Sequence, residues 1–334
     1  MASPNLARVG LVAIGRNEGE RLRRCFDSLP SAVKSVVYVD SGSTDASVEL
    51  ARSRGYEVVP LDMTRPFTAA RARNAGFARL MERWPELSYV QFVDGDCAVA
   101  AGWLEYAEEV LAREPSVAAI WGRRRELHPD ASVYNRVCDV EWSQEPVGDT
   151  QVFGGDVMVR THVVQSLGGY DGRIIAGEDP EFAYRMYRSG HRILHADHDM
   201  TLHDAAIQRF GQWWTRTKRS GYAYAQVSAL HGADPERFWV KDTRRALFWG
   251  FVLPALVPTL ALPTLGLSSL LLSVYPLRAA RIARAAEQRG LPADEARYWS
   301  LHCVGASFPQ ALGILSYHVQ RLRGKDPTII EYKG

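Results

Sequence analysis

From residue 9 to residue 122 short apolar runs alternate with helical stripes, and no other feature of the chain restricts its fold as much. Val9–Ile14, Ser35–Asp40, Tyr56–Leu61 and Tyr89–Asp94 read as strands, with another at 117–122 after a helix over 103–113. Between them Leu22, Cys25, Phe26 and Leu29 recur at i, i+3, i+4 and i+7, and Phe77, Leu80, Met81 and Trp84 repeat the spacing. That is the buried stripe of a helix lying on a sheet. The order predicts an α/β fold with a mostly parallel, helix-covered, Rossmann-like sheet. In such sheets ligands bind outside the carboxyl ends of the strands. The residues at those ends therefore bear most on function.

Two of the ends are acidic. The fourth strand runs into Asp94-Gly95-Asp96, and the second ends on Asp40. Hard carboxylate oxygens suit magnesium or manganese, which in turn grip phosphate oxygens. Asp-Gly is also a common turn dipeptide, so the pair alone does not decide. In "VDSGSTD", Ser43, Thr44 and Asp45 are explained as caps of the next helix, but Asp40 is not. Arg71 and Arg73 in "RARNAG" cannot share a helix face, so one is expected at the ligand edge, where a guanidinium pairs with phosphate; the alternative is a solvated face. Further on, 151–159 is predicted as a strand, 177–190 as a helix with Pro180 in its first turn, and 191–196 as a strand. Glu178 and Asp179 open that helix. A carboxylate there, beside a second one, is held in place and has a perturbed pKa, or simply caps the helix.

"AIGRNEGERL" (13–22), "VDSGSTD" (39–45), "ARNAG" (72–76), "VDGD" (93–96) and "GED" (177–179) stand in the order and spacing of family 2 glycosyltransferases of GT-A fold. The chain resembles that family over roughly residues 8 to 205. The resemblance implies an inverting, metal-dependent enzyme using a nucleotide-sugar, with UDP-sugars favoured and Mn2+ or Mg2+ as cofactor. It implies that Ile14, Asn17, Glu18, Asp40, Ser41, Arg73, Asn74, Asp94 and Gly95 face the nucleotide-sugar, and that Asp96 reaches the metal. It also implies His203 as a further metal ligand, Asp179 as the base for the acceptor hydroxyl, and Gly155, Asp156 and Glu178 on the acceptor side. A sugar-phosphate nucleotidyltransferase is the rival reading, but the first loop lacks a lysine; a non-catalytic scaffold of the same fold is another.

The C-terminal part, 209–334, is set apart from a catalytic domain over 1–208. "RFGQWWTRTKRSGYAYAQ" (209–226) reads as an amphipathic helix at a membrane surface. Alternatively Trp213 or Trp214 borders the acceptor while Arg216 or Arg219 grips diphosphate. No charged residue occurs from Ala246 to Leu277, but Pro254, Pro258 and Pro263 interrupt the run. That stretch exceeds the roughly 20 residues of a spanning helix. Arg244 and Arg245 precede it, and Arg278, Arg281 and Arg284 follow, which favours an apolar hairpin that dips in and returns, or an interfacial pair of helices; burial in an oligomer is the alternative. The stretch 308–325 is apolar and ends in cations. The expected setting is the cytoplasmic face of an inner membrane, with a saccharide or polyprenyl-linked acceptor and a role in cell-surface polysaccharide or glycolipid synthesis. A net charge of +2 gives no reason to expect nucleic acid as a partner, and four scattered cysteines suggest reduced thiols rather than a disulfide frame.

Overall fold

A computed structural model describes residues 4–324, so Lys325 and the outermost residues of the two predicted domains lie outside it. The chain forms two compact units. One comprises the residues up to Leu127 together with Trp142–Ala205; the other comprises His128–Glu141 and the residues from Ala206 on. A cut at residue 208 leaves 128–141 with the N-terminal part, whereas this segment groups with the C-terminal unit.

In the first unit the elements are β1 (Val9–Gly15), α1 (Glu20–Asp27), β2 (Ser35–Asp40), α2 (Ser47–Ser53), β3 (Glu57–Pro60), α3 (Ala69–Arg83), β4 (Tyr89–Asp94), β5 (Cys97–Val99), α4 (Trp103–Arg113) and β6 (Val117–Glu126). Helix α5 (Val133–Ser143) falls mostly in the other unit. Then come β7 (Gly148–Thr150), β8 (Val157–Arg160), α6 (Thr161–Ser166), α7 (Glu178–Arg188) and β9 (Arg192–His203). One sheet runs β3-β2-β1-β4-β8-β6-β9-β5, with β7 paired to β9. The N-terminal strands β3, β2, β1 and β4 are parallel. Beyond them β8 runs antiparallel to β4 and β6, and β5 and β7 run antiparallel to β9. The sheet is therefore mixed and not mostly parallel.

Its central strands are apolar on both faces because helices cover both. Val9, Leu11, Val12 and Ala13 of β1 are all buried, as are Tyr89, Val90, Phe92 and Val93 of β4. Two local expectations are corrected. Residues 151–156 form a loop, and only Val157–Arg160 is strand, because Gly155 turns at φ +68°. Conversely, the strand expected over 191–196 runs on as far as His203 in β9, although Asp and His are poor strand formers.

The second unit is helical: α8 (Phe210–His231), α9 (Val240–Leu247), α10 (Leu253–Thr259), α11 (Val274–Gln288), α12 (Ala293–Gly305) and α13 (Ser307–Leu322), with a π-helical turn at Phe248–Val252 and a 3-10 segment at Leu267–Ser273. Helices α8 and α13 cross backbone to backbone. A Cβ on Gly221 would lie 2.0 Å from the Gln310 carbonyl oxygen, and one on Gly313 would lie 2.0 Å from that of Lys218. The charge-free stretch 246–277 folds back on itself, and its tip is bare: Leu262 is 89% and Leu265 94% exposed. Among the described residues no helix is long and apolar enough to cross a membrane.

Candidate active site

The acidic strand ends meet other carboxylates at the carboxyl edge of β1, β2 and β4. Gly95 can sit there because its backbone is nearly touching β1: its N–H donates to the Ile14 carbonyl at 2.8 Å, and a Cβ would lie 3.0 Å from that oxygen and 3.4 Å from Glu18 Cγ. Asp94 closes β4, and its backbone N–H donates to Asp156 Oδ1 at 2.9 Å. Asp156 is fully buried; its Oδ2 accepts from Arg124 Nη2 at 2.9 Å and from the Thr201 hydroxyl at 2.7 Å. The left-handed turn at Gly155 is required here. A side chain at that position would collide with the Arg124 guanidinium, and the glycine N–H donates to Asp179 Oδ2 at 2.9 Å.

Arg73 sits at the centre. From α3 its buried guanidinium reaches Asp94 Oδ1 at 2.8 Å, Glu178 Oε1 at 2.9 Å and Asp179 Oδ1 at 3.1 Å. Two of these carboxylates open α7, whose first turn is placed so that its acidic residues meet α3. Burial pushes the Asp179 carboxyl up to about 8; Arg73 opposes the shift, while Glu178 and Asp94 add to it. Burial also raises the Asp94 pKa, against Arg73 and with Asp156 and Asp96. For Arg73 burial works against the charge, but Asp179 and Asp94 outweigh it and hold the guanidinium above its usual range. Asp179 Oδ1 makes no hydrogen bond among the described residues.

Beside this network, Asp96 Oδ2 lies 3.4 Å from His203 Nε2. Strand β5 brings them together by pairing Cys97 with His203. An oxygen and a ring nitrogen at this spacing, next to a second buried carboxylate pair, are a donor set that fits a divalent cation.

The remaining predicted residues lie in three other places. Asn17 adopts φ +55°; its N–H donates to the Ser43 hydroxyl at 2.9 Å and its side-chain oxygen accepts from Thr44 N at 2.7 Å. Asp40 Oδ2 accepts from the backbone N–H groups of Gly42 and Ser43 at 3.0 Å, and the Ser41 N–H donates to the Gly15 carbonyl. These contacts lock the β1 and β2 loops together at the sheet edge. Asn74 does not turn towards them. Its amide donates to the Tyr170 carbonyl at 2.7 Å and accepts from the Tyr170 N–H at 2.8 Å, tying α3 to the loop before α7. Arg71 donates to the carbonyls of Asp62, Arg65 and Pro66. Trp213, Trp214, Arg216 and Arg219 are all on α8 in the second unit, where Trp213 is buried and donates to His302 Nδ1 at 3.0 Å and Arg216 pairs with Glu141 at 2.8 Å. Sequence reasoning missed Arg124 and Thr201, which hold Asp156. The signal for the first was the run Arg123-Arg124-Arg125 at the end of an apolar strand.

A parallel half-sheet with a buried carboxylate network at its carboxyl edge puts the candidate site where sheets of this kind bind ligands. Residues 12–145 match the family model Glycosyl transferase family 2, so this part of the chain carries a glycosyltransferase domain. It is 25% identical over 228 residues to Glycosyltransferase AglE of Haloferax volcanii, covering 64% of this chain and 72% of that one. It is 26% identical over 244 residues to Pre-mycofactocin glycosyltransferase of Mycobacterium tuberculosis, covering 69% of this chain and 49% of the relative, about half its length. Among solved structures, mannosyltransferase PcManGT from Pyrobaculum calidifontis, in complex with GDP-Man and Mn2+, superposes with a TM-score of 0.59 at 19% identity, covering 94% of this chain and 89% of that one. The fold is thus shared with a GT-A enzyme. The nucleotidyltransferase reading is set aside.

Proposed function

We propose that this chain is an inverting, divalent-metal-dependent transferase that moves a sugar from a nucleoside-diphosphate sugar to a hydroxyl of a saccharide or lipid-linked acceptor. The observation that carries this is the environment of Asp179. One carboxylate oxygen is fixed by the Gly155 N–H at 2.9 Å, and the other makes no hydrogen bond among the described residues but lies 3.1 Å from Arg73 Nη1. A lone pair held in place, on a group pushed up to about 8, suits proton abstraction near neutral pH. Displacement with a single base inverts the anomeric centre. Asp96 and His203 would hold Mn2+ or Mg2+, which when bound neutralises charge on the leaving diphosphate. Asp40, with Asn17, Glu18 and Ser41 around it, is the candidate for facing the base; a carboxylate accepting from a ring N–H suits uracil and also guanine.

A thermal-shift panel of UDP-, GDP- and dTDP-sugars tests the donor, GDP-mannose being included because the archaeal mannosyltransferase holds it. One nucleotide class is expected to raise the melting temperature, and only with Mn2+. A ligand at a hundred times its Kd adds about 2.7 kcal/mol of stability. No response from any donor with Mn2+ present would overturn the reading.

The acceptor side is proposed to lie at the cytoplasmic face of an inner membrane. Support comes from the bare tip of the charge-free hairpin, where Leu262, Leu265, Leu267 and Leu270 are all more than half exposed, and from the arginines at both of its ends. An apolar tip rimmed by cations fits the interface of an anionic bilayer. The chain is expected to co-sediment with vesicles containing phosphatidylserine or phosphatidylglycerol and less with zwitterionic ones. Leu262→Glu with Leu265→Glu should lower the bound fraction by about tenfold or more, each buried charge costing roughly 2.5–3.5 kcal/mol. Equal binding by the double variant, or salt-independent binding, counts against a membrane as the occupant.

A further inference from the structure

Cys97 has no part in the chemistry described so far, yet its sulfur lies at the point where the two halves of the site meet. Its Sγ shares one cluster with Asp96 and His203 and a second with Asp94 and Asp156, and in each cluster the ligand-type atoms lie within 4.8 Å of one another. The backbone dictates this placement. Cys97 opens β5 directly opposite His203 on β9, so the two side chains project from the same face. His203 is held from the other side as well, since β6 pairs Glu126 with it and the Leu127 N–H donates to its carbonyl at 2.9 Å. The Asp96 carbonyl accepts from the Asp204 N–H at 3.1 Å, closing the turn around the cluster. The thiol donates to Asp96 Oδ1 at 3.5 Å.

The surroundings are those of a ligand set, not of a filler thiol. Glu126 Oε2 lies 4.0 Å from His203 Nδ1 and is itself fixed by the Ala205 N–H at 3.1 Å. The 4.0 Å spacing is an ion-pair contact and not a hydrogen bond, but the carboxylate stands on the side from which a metal-bound histidine is usually oriented. The Trp142 ring meets the imidazole edge-on at 4.9 Å. Cys97 is fully buried, and Asp96 and His203 are nearly so. An oxygen, an imidazole nitrogen and a sulfur that converge in this way select differently from an all-oxygen site. Hard Mg2+ gains nothing from sulfur, whereas Co2+, Zn2+ and Cd2+ do.

We propose that Cys97 is a metal ligand, so that this site takes thiophilic divalent cations through Asp96, Cys97 and His203 in competition with Mn2+ or Mg2+. The inference rests on the metal-dependent reading above. In the step itself the cation replaces the thiol proton, which leaves to solvent, and a metal–sulfur bond forms with no change of oxidation state.

Co2+ titration of the full chain, first stripped with a chelator, tests it optically. The wild type is expected to show a near-ultraviolet thiolate-to-cobalt charge-transfer band that saturates stoichiometrically, and Cys97→Ser to lose it while still binding Mn2+ by electron paramagnetic resonance. Displacement of Mn2+ by Zn2+ should weaken in Cys97→Ser by at least about tenfold, the loss that even an outer-shell partner brings. Mn2+ binding with no cobalt band in the wild type overturns the role of Cys97 and leaves the metal-dependent reading standing, whether or not the variant folds. A band that persists in Cys97→Ser also overturns it, since the sulfur then comes from another cysteine. Binding of neither ion overturns the ligand and the metal-dependent reading together.

Discussion

Asp179→Asn is expected to abolish transfer while leaving the donor-induced thermal shift intact. Asparagine keeps the shape of the side chain and still accepts the Gly155 N–H, so the loop that presents Gly155 and Asp156 stays in place. What it lacks is the basic oxygen. Losing a positioned base costs about 10²–10⁴ in rate, and unchanged turnover would sink the assignment. The pH dependence sharpens the test. With the carboxyl pushed up to about 8 by burial, the active ionised form grows as pH rises. In the wild type kcat/KM, which reports the free enzyme, should therefore climb through about pH 8 and level off above it. Stability moves the other way. A carboxyl that keeps its proton in the folded chain, but loses it near 3.8 when unfolded, contributes stability that is complete below that lower value and is lost as pH rises through about 8. The substituted amide has no such proton to lose. The variant should melt above the wild type by a margin that opens from about pH 4, widens to about pH 8 and then stays constant. An inactive variant that is also more stable at alkaline pH is the signature of a buried base kept for its chemistry.

How much of this was legible depends on how local the signal was. Strands β1, β2 and β4 are written in runs such as "VGLVAI" and "YVQFVD", whose apolar character does not depend on distant partners. Asp40 and Asp94 follow because they simply end those runs. Strand β9 was hidden in its second half. Its exposed face carries Asp197 and Asp199, which pair with Arg123 on β6, and its pairing with β6 shifts register three times. Such a strand is held by its neighbour, and propensity cannot foretell it. The same holds for Arg73. Sequence put it near the nucleotide because it is a cation at the right edge, but its three carboxylate partners come from β4 and α7, 21 or more residues away along the chain. Only the fold shows that its charge is already committed. Trp213 misleads for the opposite reason: a Trp-Trp-Thr-Arg stretch suggests a surface, whereas packing against Tyr134 and His302 puts the first tryptophan inside the second unit.

The committed charge makes Arg73→Gln the substitution with the largest expected effect on stability. It leaves Asp94, Glu178 and Asp179 facing one another in a buried site with no cation between them. Breaking a buried pair by removing one partner costs about 3–5 kcal/mol, and here three acids lose the same partner. Urea unfolding should show a loss of that order. The kinetic consequence has a definite sign too. The guanidinium lowers the pKa of Asp179, opposing burial, so without it the base binds its proton more tightly and the acid limb of kcat/KM shifts to higher pH. Arg73→Lys should recover part of the stability but not the whole, because an ammonium cannot reach Asp94, Glu178 and Asp179 together as the planar fork does at 2.8, 2.9 and 3.1 Å. A double-mutant cycle then separates a clamp from a bystander. Above about pH 8, where Asp179 is ionised, an Asp179→Asn background removes one of the three repelling acids, so Arg73→Gln should there cost less than in the wild type, with a coupling energy of about 0.5–3 kcal/mol. Additive losses, with an unmoved pH profile in the single variant, would show that Arg73 holds the fold without governing the base.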